Sequence, residues 1–297
     1  MFDKIRTSSL RGAYDRIPLP LKNVYRATRW VPPWLTWRLS TSGQSHAAKV
    51  LSPYRGRYRG HRAVIMGNGP SLRNTDWDLL SNEYVFGMNR IYLLIQEMGF
   101  IPDFYVCVKD LVFEQFAHEI QPLKSLKFCD WSSAHRHLDS DANTVFIPHI
   151  VSEGFRFRAN ILTGWNRGCT VTYTALQVAF FMGFDEVILI GVDHFFCHTG
   201  KPKLQEVSQG DDPNHFAPDY FGKGIKWEYP NLSGSEIAYD CARNAFENAG
   251  RRIVDATQGG HLTVFPKTSL GEALATSQLR GKEHDNTAVA PVAQNIP

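Results

Sequence analysis

Five short stretches of this sequence carry residue types that can do chemistry. The first is GNGPSL at 67–72, directly after an apolar run. Gly67 and Gly69 would let backbone approach a ligand closely. Asn68 offers an amide, and Ser71 can cap the next helix and donate a hydrogen bond. Free N–H groups at such a turn suit a phosphate or a nucleotide. The spacing matches neither a Walker A loop nor GxGxxG. The second is Asn89, at the end of the next apolar run in GMNR. It would lie beside the first turn in a parallel sheet. The third is TGWNRGCTVT at 163–172, where Gly168 and Thr170 open a helix whose N-terminus could face an anion. The fourth is GVDHFFCH at 191–198. Asp193 sits where a strand should end, an address for a functional carboxylate. His194 and His198 are spaced i, i+4, which would fit zinc on a helix, but nothing in this stretch with Asp193 and Cys197 predicts a helix, so a metal there is not expected.

The fifth stretch is the densest. SQGDDPNHFAPDYFGKG at 208–224 holds Asp211, Asp212, His215, Asp219, Tyr220 and Lys223, framed by glycines. A histidine on a loop facing a phosphate-binding turn is a candidate general base. A tyrosine hydroxyl such as that of Tyr220 can donate to a departing phosphate without a metal.

These stretches need elements to hold them. Residues 62–67, 84–89, 103–110, 126–131, 144–150, 186–193 and 251–257 read as strands. Helical patterns lie at 91–100, 111–120, 168–184 and 235–250. The 168–184 segment is apolar on nearly all faces and should be buried. Ser235 and Gly250 read as the cap and stop of the 235–250 helix. This alternation predicts an α/β fold, Rossmann-like and doubly wound, with a mostly parallel sheet. The forty residues between Asp193 and Ser235 lack periodicity, as a functional loop would.

Composition bounds the rest. The chain has 297 residues, 43% of them hydrophobic, and a formal net charge of +3. That charge is uneven: residues 1–62 hold 13 Lys/Arg against two Asp, and the remainder holds 19 basic against 27 acidic groups. Three segments follow: a basic N-terminal arm at 1–60, a catalytic body at 61–275 and a disordered polar tail at 276–297. Within the arm, residues 17–40 contain four prolines and Trp30, Trp34 and Trp37. Tryptophan beside Arg/Lys fits either peripheral membrane contact or packing on the body or a partner subunit. No groove-reading motif accompanies the charge, so nucleic acid is not expected. There is no apolar stretch of bilayer length and no secretory h-region. Five cysteines without CxxC spacing disfavour a disulfide framework. A reducing cytoplasm is the expected compartment.

The motifs at 67–72, 89, 163–172, 186–194 and 214–224, with the closing RRIVDATQGGHLTVFP, resemble the DUF115 or MptE-like group over about residues 62–270. That group includes 6-hydroxymethylpterin diphosphokinases and Maf flagellin-glycosylation proteins. The core is also similar to bacterial sialyltransferases of glycosyltransferase family 42. The sialyltransferase resemblance implies metal-independent, inverting transfer of a nonulosonic acid from a CMP-sugar to a surface-glycan acceptor, with no cofactor. Gly67, Asn68, Gly69, Ser71 and Asn89 would then hold the nucleotide, and Gly168 and Thr170 would line the donor site. His215 would act as base, and Tyr220 and Asp193 would complete the catalytic set, with His194, Asp219 and Lys223 as additional candidates. Those enzymes carry a tyrosine just after the Gly-Ile-Asp segment, where His194, Phe195 and Phe196 stand here. The diphosphokinase resemblance implies ATP with Mg²⁺ on a pterin-like substrate, and Asp193, Asp211 and Asp212 as metal ligands. A third expectation is a non-catalytic accessory protein that binds a nucleotide sugar. A homo-oligomer is compatible with all three.

Overall fold

A computed structural model describes residues 47–198 and 200–282. The Trp-containing stretch and its expected membrane contact lie outside them. Seven strands form one parallel sheet: β1 (Arg62–Met66), β2 (Tyr84–Met88), β3 (Phe104–Cys107), β4 (Leu126–Asp130), β5 (Thr144–Ile147), β6 (Glu186–Ile190) and β9 (Arg252–Asp255). Their order is β5-β4-β3-β2-β1-β6-β9. A short antiparallel hairpin, β7 (Gln205–Val207) with β8 (Lys226–Glu228), lies in the long loop. This is the α/β doubly wound fold that the alternation predicts.

The strands are apolar runs because both sheet faces are covered. Ala63 and Ile65 of β1 join one core with Phe86, Val187 and Leu189; Val64 and Met66 join the other with Val85, Ile188 and Ile190. Helices α2 (Val171–Met182) and α3 (Leu232–Asn248) cover the first face. Helices α1 (Asp110–Ile120) and α4 (Leu270–Thr276) cover the second. In α2 every residue but Val171 and Phe180 is buried. Its one buried amide is satisfied: Gln177 donates to the Asn166 carbonyl at 2.7 Å and accepts from the Asn166 N–H at 3.0 Å.

Three sequence expectations need correction. First, the body begins before residue 61. Leu51 and Tyr58 are core residues. The Tyr58 ring stacks on Phe184 at 4.6 Å and 9°, and its N–H donates to the Met182 carbonyl at 2.9 Å. Charge on Arg55, Arg57 and Arg59 masks these anchors in the sequence. Tyr58→Ala is expected to cost about 3–5 kcal/mol, the range for emptying an aromatic site, measurable by urea denaturation. Second, the chain stays on the body beyond residue 275. The Arg280 N–H donates to the Gly60 carbonyl at 3.1 Å, and Lys282 pairs with Asp103 at 2.8 Å. Third, α3 is capped by Asn231, which accepts from the Gly234 N–H at 2.9 Å. Ser235 is buried inside the first turn and donates to the Asn231 carbonyl.

The topology also fixes where a ligand can sit. From β1 the chain winds outward to β5, then crosses back to β6 on the other side of β1. In open α/β sheets the crevice beyond the carboxyl ends at such a reversal is the binding place. The 67–72 turn after β1 and the 191–198 turn after β6 face each other there.

Candidate active site

The two turns are locked together. Gly67 donates to the Ile190 carbonyl at 2.7 Å and Gly69 to the Gly191 carbonyl at 2.9 Å. A Cβ on Gly67 would lie 2.0 Å from the Gly191 oxygen, and one on Gly69 would lie 1.9 Å from Asp193 Oδ2. These glycines are therefore required by close approach of the turn after β6, a correction to their reading as space for a ligand. Asp193 is drawn into the same lock. Its Oδ1 accepts from the Ser71 N–H at 3.0 Å and its Oδ2 from the Ser71 hydroxyl at 2.7 Å. Asp193 and Ser71 thus position the turn for each other instead of presenting free groups.

The locked turns floor a cleft of about 1140 Å³, counting its open mouth. Asn68 and Asn89 line it, and the side-chain oxygen of each is buried without a hydrogen-bond partner. Unfilled, such an acceptor costs about 1–3 kcal/mol. Asn89 holds a left-handed backbone, φ 49°. Its carbonyl accepts from the Tyr105 hydroxyl at 2.6 Å, which turns the residue over the end of β2. Thr170 lines the opposite wall as N-cap of α2; its hydroxyl accepts from the Thr172 N–H and lies 3.4 Å from the Tyr239 hydroxyl. Gly168 is not part of the wall; it lies in the turn before Thr170, with its N–H bonded to Asn166 Oδ1.

The long loop folds across the cleft and is tied down at several points. The Phe216 N–H donates to the Asn68 carbonyl at 3.1 Å. Arg73 donates to the Phe216 carbonyl at 2.6 Å and to the His215 carbonyl at 3.3 Å. Arg90, buried after β2, donates to the Asp219 carbonyl at 2.9 Å and to the Tyr220 carbonyl, with its guanidinium 3.9 Å from the Phe116 ring centre. Gln115 of α1 exchanges hydrogen bonds with the backbone of Lys226 in β8.

This pinning delivers His215 to the cleft. Its Nδ1 is 2.7 Å from Oδ2 of the buried Asp212, and its ring stacks on Tyr220 at 4.0 Å and 1°. Asp212 is itself fixed: Oδ1 accepts from the Asn214 N–H at 2.8 Å and Oδ2 from the Phe221 N–H at 3.2 Å. An acid bonded to Nδ1 sets the tautomer and leaves Nε2 as the reactive nitrogen. Tyr220 serves as the platform beneath His215. Its hydroxyl is within 3.4 Å of the Arg90 N–H, and burial raises its pKa, so it stays protonated.

Other candidates part company. His194 lines the cleft, with Nε2 3.0 Å from Glu236 Oε1. Asp211, Asp219 and Lys223 are exposed and stand off the cleft wall. The carboxylates expected to bind magnesium are not gathered: Asp193 faces Ser71, Asp212 faces His215, and Asp211 points to solvent. Among the described residues no three His, Cys, Asp or Glu side chains form a metal set. Sequence reasoning missed the wall formed by Phe196, Phe221, Trp227 and Tyr239, and Lys109, which lines the cleft 3.0 Å from Glu228. Lys109 follows β3, so its strand-end position was the signal that could have found it. Among the described residues no helix is long and apolar enough to cross a membrane.

Comparison with known proteins gives one family and one distant structure. Residues 39–199 match the family described as 6-hydroxymethylpterin diphosphokinase MptE-like. That span takes in Asn68, Asn89, Thr170 and His194 and stops short of Asp212 and His215. No curated protein matches the chain. Among solved structures, the MAf glycosyltransferase from Magnetospirillum magneticum AMB-1 is similar at 15% identity and TM-score 0.49. The likeness covers 81% of this chain and 43% of that one.

Proposed function

This chain belongs to the 6-hydroxymethylpterin diphosphokinase MptE-like family, and within it we propose that it acts as a glycosyltransferase on a nucleotide-activated sugar. The observation that carries this reading is the Asp212–His215 pair set over a cleft at the sheet's reversal point. A hydroxyl acceptor needs its proton removed as it attacks. His215 Nε2 takes that proton, and Asp212 steadies the imidazolium that forms. Asn68 and Asn89 line the cleft, and their side-chain amides suit the polar edge of a nucleoside. The N-terminus of α2, with Thr170, suits the phosphate. Phe196, Phe221 and Trp227 give apolar faces against which sugar rings pack. The donor in this reading is a CMP-activated nonulosonic acid, and the acceptor is a surface glycan.

The family's description favours a second reading, a diphosphokinase using ATP with Mg²⁺. Its expected carboxylates are held apart, with Asp193 bonded to Ser71 and Asp212 to His215. A thermal-shift screen separates the two. CMP or a CMP-sugar without Mg²⁺ is expected to raise the melting temperature, since a ligand at 100 times its Kd adds about 2.7 kcal/mol. Stabilisation by ATP with Mg²⁺ alone overturns the glycosyltransferase reading. CMP-sugar binding with no turnover on any acceptor marks an accessory protein instead.

A further inference from the structure

We propose that His194 is a second catalytic histidine, which holds and protonates the departing nucleotide phosphate while His215 deprotonates the acceptor. This rests on the glycosyltransferase reading above.

His194 directly follows the lock between the two turns and sits at φ 54°. A left-handed backbone is uncommon outside glycine and is kept where the surroundings enforce it. Among the described residues Asn89, His194 and Lys203 adopt it, and the first two line the cleft. The imidazole is nearly enclosed, at 7% exposure, yet its partner Glu236 is half exposed on the first turns of α3. Packing alone would be served by an apolar side chain there. The ring is instead set by one carboxylate on Nε2, leaving Nδ1 without a hydrogen bond among the described residues.

The surroundings of that ring suit an anion. It meets Tyr239 edge-on at 6.4 Å, and the Tyr239 hydroxyl is 3.4 Å from the Thr170 hydroxyl at the N-terminus of α2. The neighbouring carboxylate, Asp193, has both oxygens turned to Ser71. The Tyr239 and Thr170 hydroxyls and the N-terminus of α2 thus lie on the His194 side of the cleft. Asn68 and Asn89 line the nucleoside side.

The step balances. The acceptor oxygen bonds to the anomeric carbon as its proton passes to His215 Nε2. The anomeric carbon–oxygen bond to phosphate breaks, and its electron pair stays on the phosphate oxygen. His194 Nδ1 gives that oxygen a proton. The net movement is one proton from acceptor to nucleotide, and both histidines reset with solvent.

The test compares CMP with cytidine in calorimetric binding, and CMP release from CMP-N-acetylneuraminate. His194→Asn keeps a residue that tolerates the left-handed backbone but cannot donate as an imidazolium does. It is expected to bind cytidine within twofold of wild type, to bind CMP on the order of tenfold more weakly, and to release CMP on the order of 100-fold more slowly. Glu236→Gln, at an exposed position, is expected to weaken CMP several-fold in the same direction, and it decides the matter alone if His194→Asn fails to fold. His215→Ala is expected to leave CMP affinity intact. CMP affinity unchanged by both His194→Asn and Glu236→Gln, with transfer lost in His215→Ala, overturns the role of His194 and leaves the glycosyltransferase reading standing. A wild-type protein that binds neither CMP nor CMP-N-acetylneuraminate overturns both.

Discussion

Replacing His215 with alanine is expected to lower turnover by about 10²- to 10⁴-fold, the usual contribution of a positioned general base, while donor affinity changes little. The expectation follows from how the imidazole is held. Asp212 fixes Nδ1 at 2.7 Å, Tyr220 supports one face at 4.0 Å, and Phe196 and Phe221 meet the ring edge-on. Such a ring has one orientation and one free nitrogen. Asp212→Asn is expected to reduce turnover as well, because an amide can no longer stabilise the imidazolium. It also removes the charge that accepts the Asn214 and Phe221 N–H groups, so its melting temperature should fall as well. Tyr220→Phe keeps the stack and should cost far less than Tyr220→Ala. Initial rates and calorimetric donor binding on these variants check the assignment. Full turnover in His215→Ala would place the base elsewhere.

How far the sequence foretells this site depends on the range of the contacts involved. Most of the sheet strands are legible because they are short apolar runs buried on both faces, with the edge strand β9 half exposed, and the helix at Val171–Met182 is legible because nearly all its residues are apolar. His215 is legible as a chemically capable residue on a long loop. Its pairing with Asp212 is not, because Asp211 and Asp212 are indistinguishable until the loop folds and buries only one of them. The lock between Ser71 and Asp193 joins residues 122 apart, and no local pattern reports it. The same holds for Gly69, whose lack of a side chain is demanded by Asp193 and not by a ligand. Arg90 reads as an ordinary surface cation beside Asn89, yet it is buried against Phe116 and holds the loop's backbone. Tyr58 and Leu51 are hidden for the opposite reason: local charge suggests an arm where tertiary packing makes a core. Periodicity thus reveals the frame, while the groups that orient the site depend on which strand ends the topology brings together.

Removing the Asp130 carboxylate is expected to destabilise the protein by about 3–5 kcal/mol, the range for leaving one member of a buried ion pair alone. Asp130 ends β4 and is fully buried. Its oxygens accept from Arg167 at 2.5 and 3.0 Å, from the Trp165 indole at 2.9 Å and from the Ser132 N–H and hydroxyl. Burial alone would raise its pKa, but hydrogen bonds from Arg167, Ser132 and Trp165 and the guanidinium charge outweigh it and hold the carboxyl below its ordinary value. The sign follows from that direction. The folded state binds the Asp130 proton less readily than the unfolded chain does, so the stabilisation is complete above the ordinary carboxyl pKa of about 3.9 and is lost as pH falls through the lower folded value. Asp130→Ala should therefore melt at lower temperature near neutral pH, and the deficit against wild type should shrink in acid. The loss should also reach the cleft. Arg167 and Trp165 belong to the loop that delivers Thr170 to the head of α2, and Asp130 is what ties that loop to the sheet. Asp130→Ala is accordingly expected to weaken phosphate-bearing ligands more than the free nucleoside, even at temperatures where the variant stays folded. Asp130→Asn tests charge separately from shape: it retains one acceptor for Trp165 but cannot neutralise Arg167. Thermal melts from pH 3 to pH 7, paired with CMP and cytidine binding at neutral pH, distinguish these effects. Equal melting of wild type and Asp130→Ala across that range would remove the carboxylate from its anchoring role.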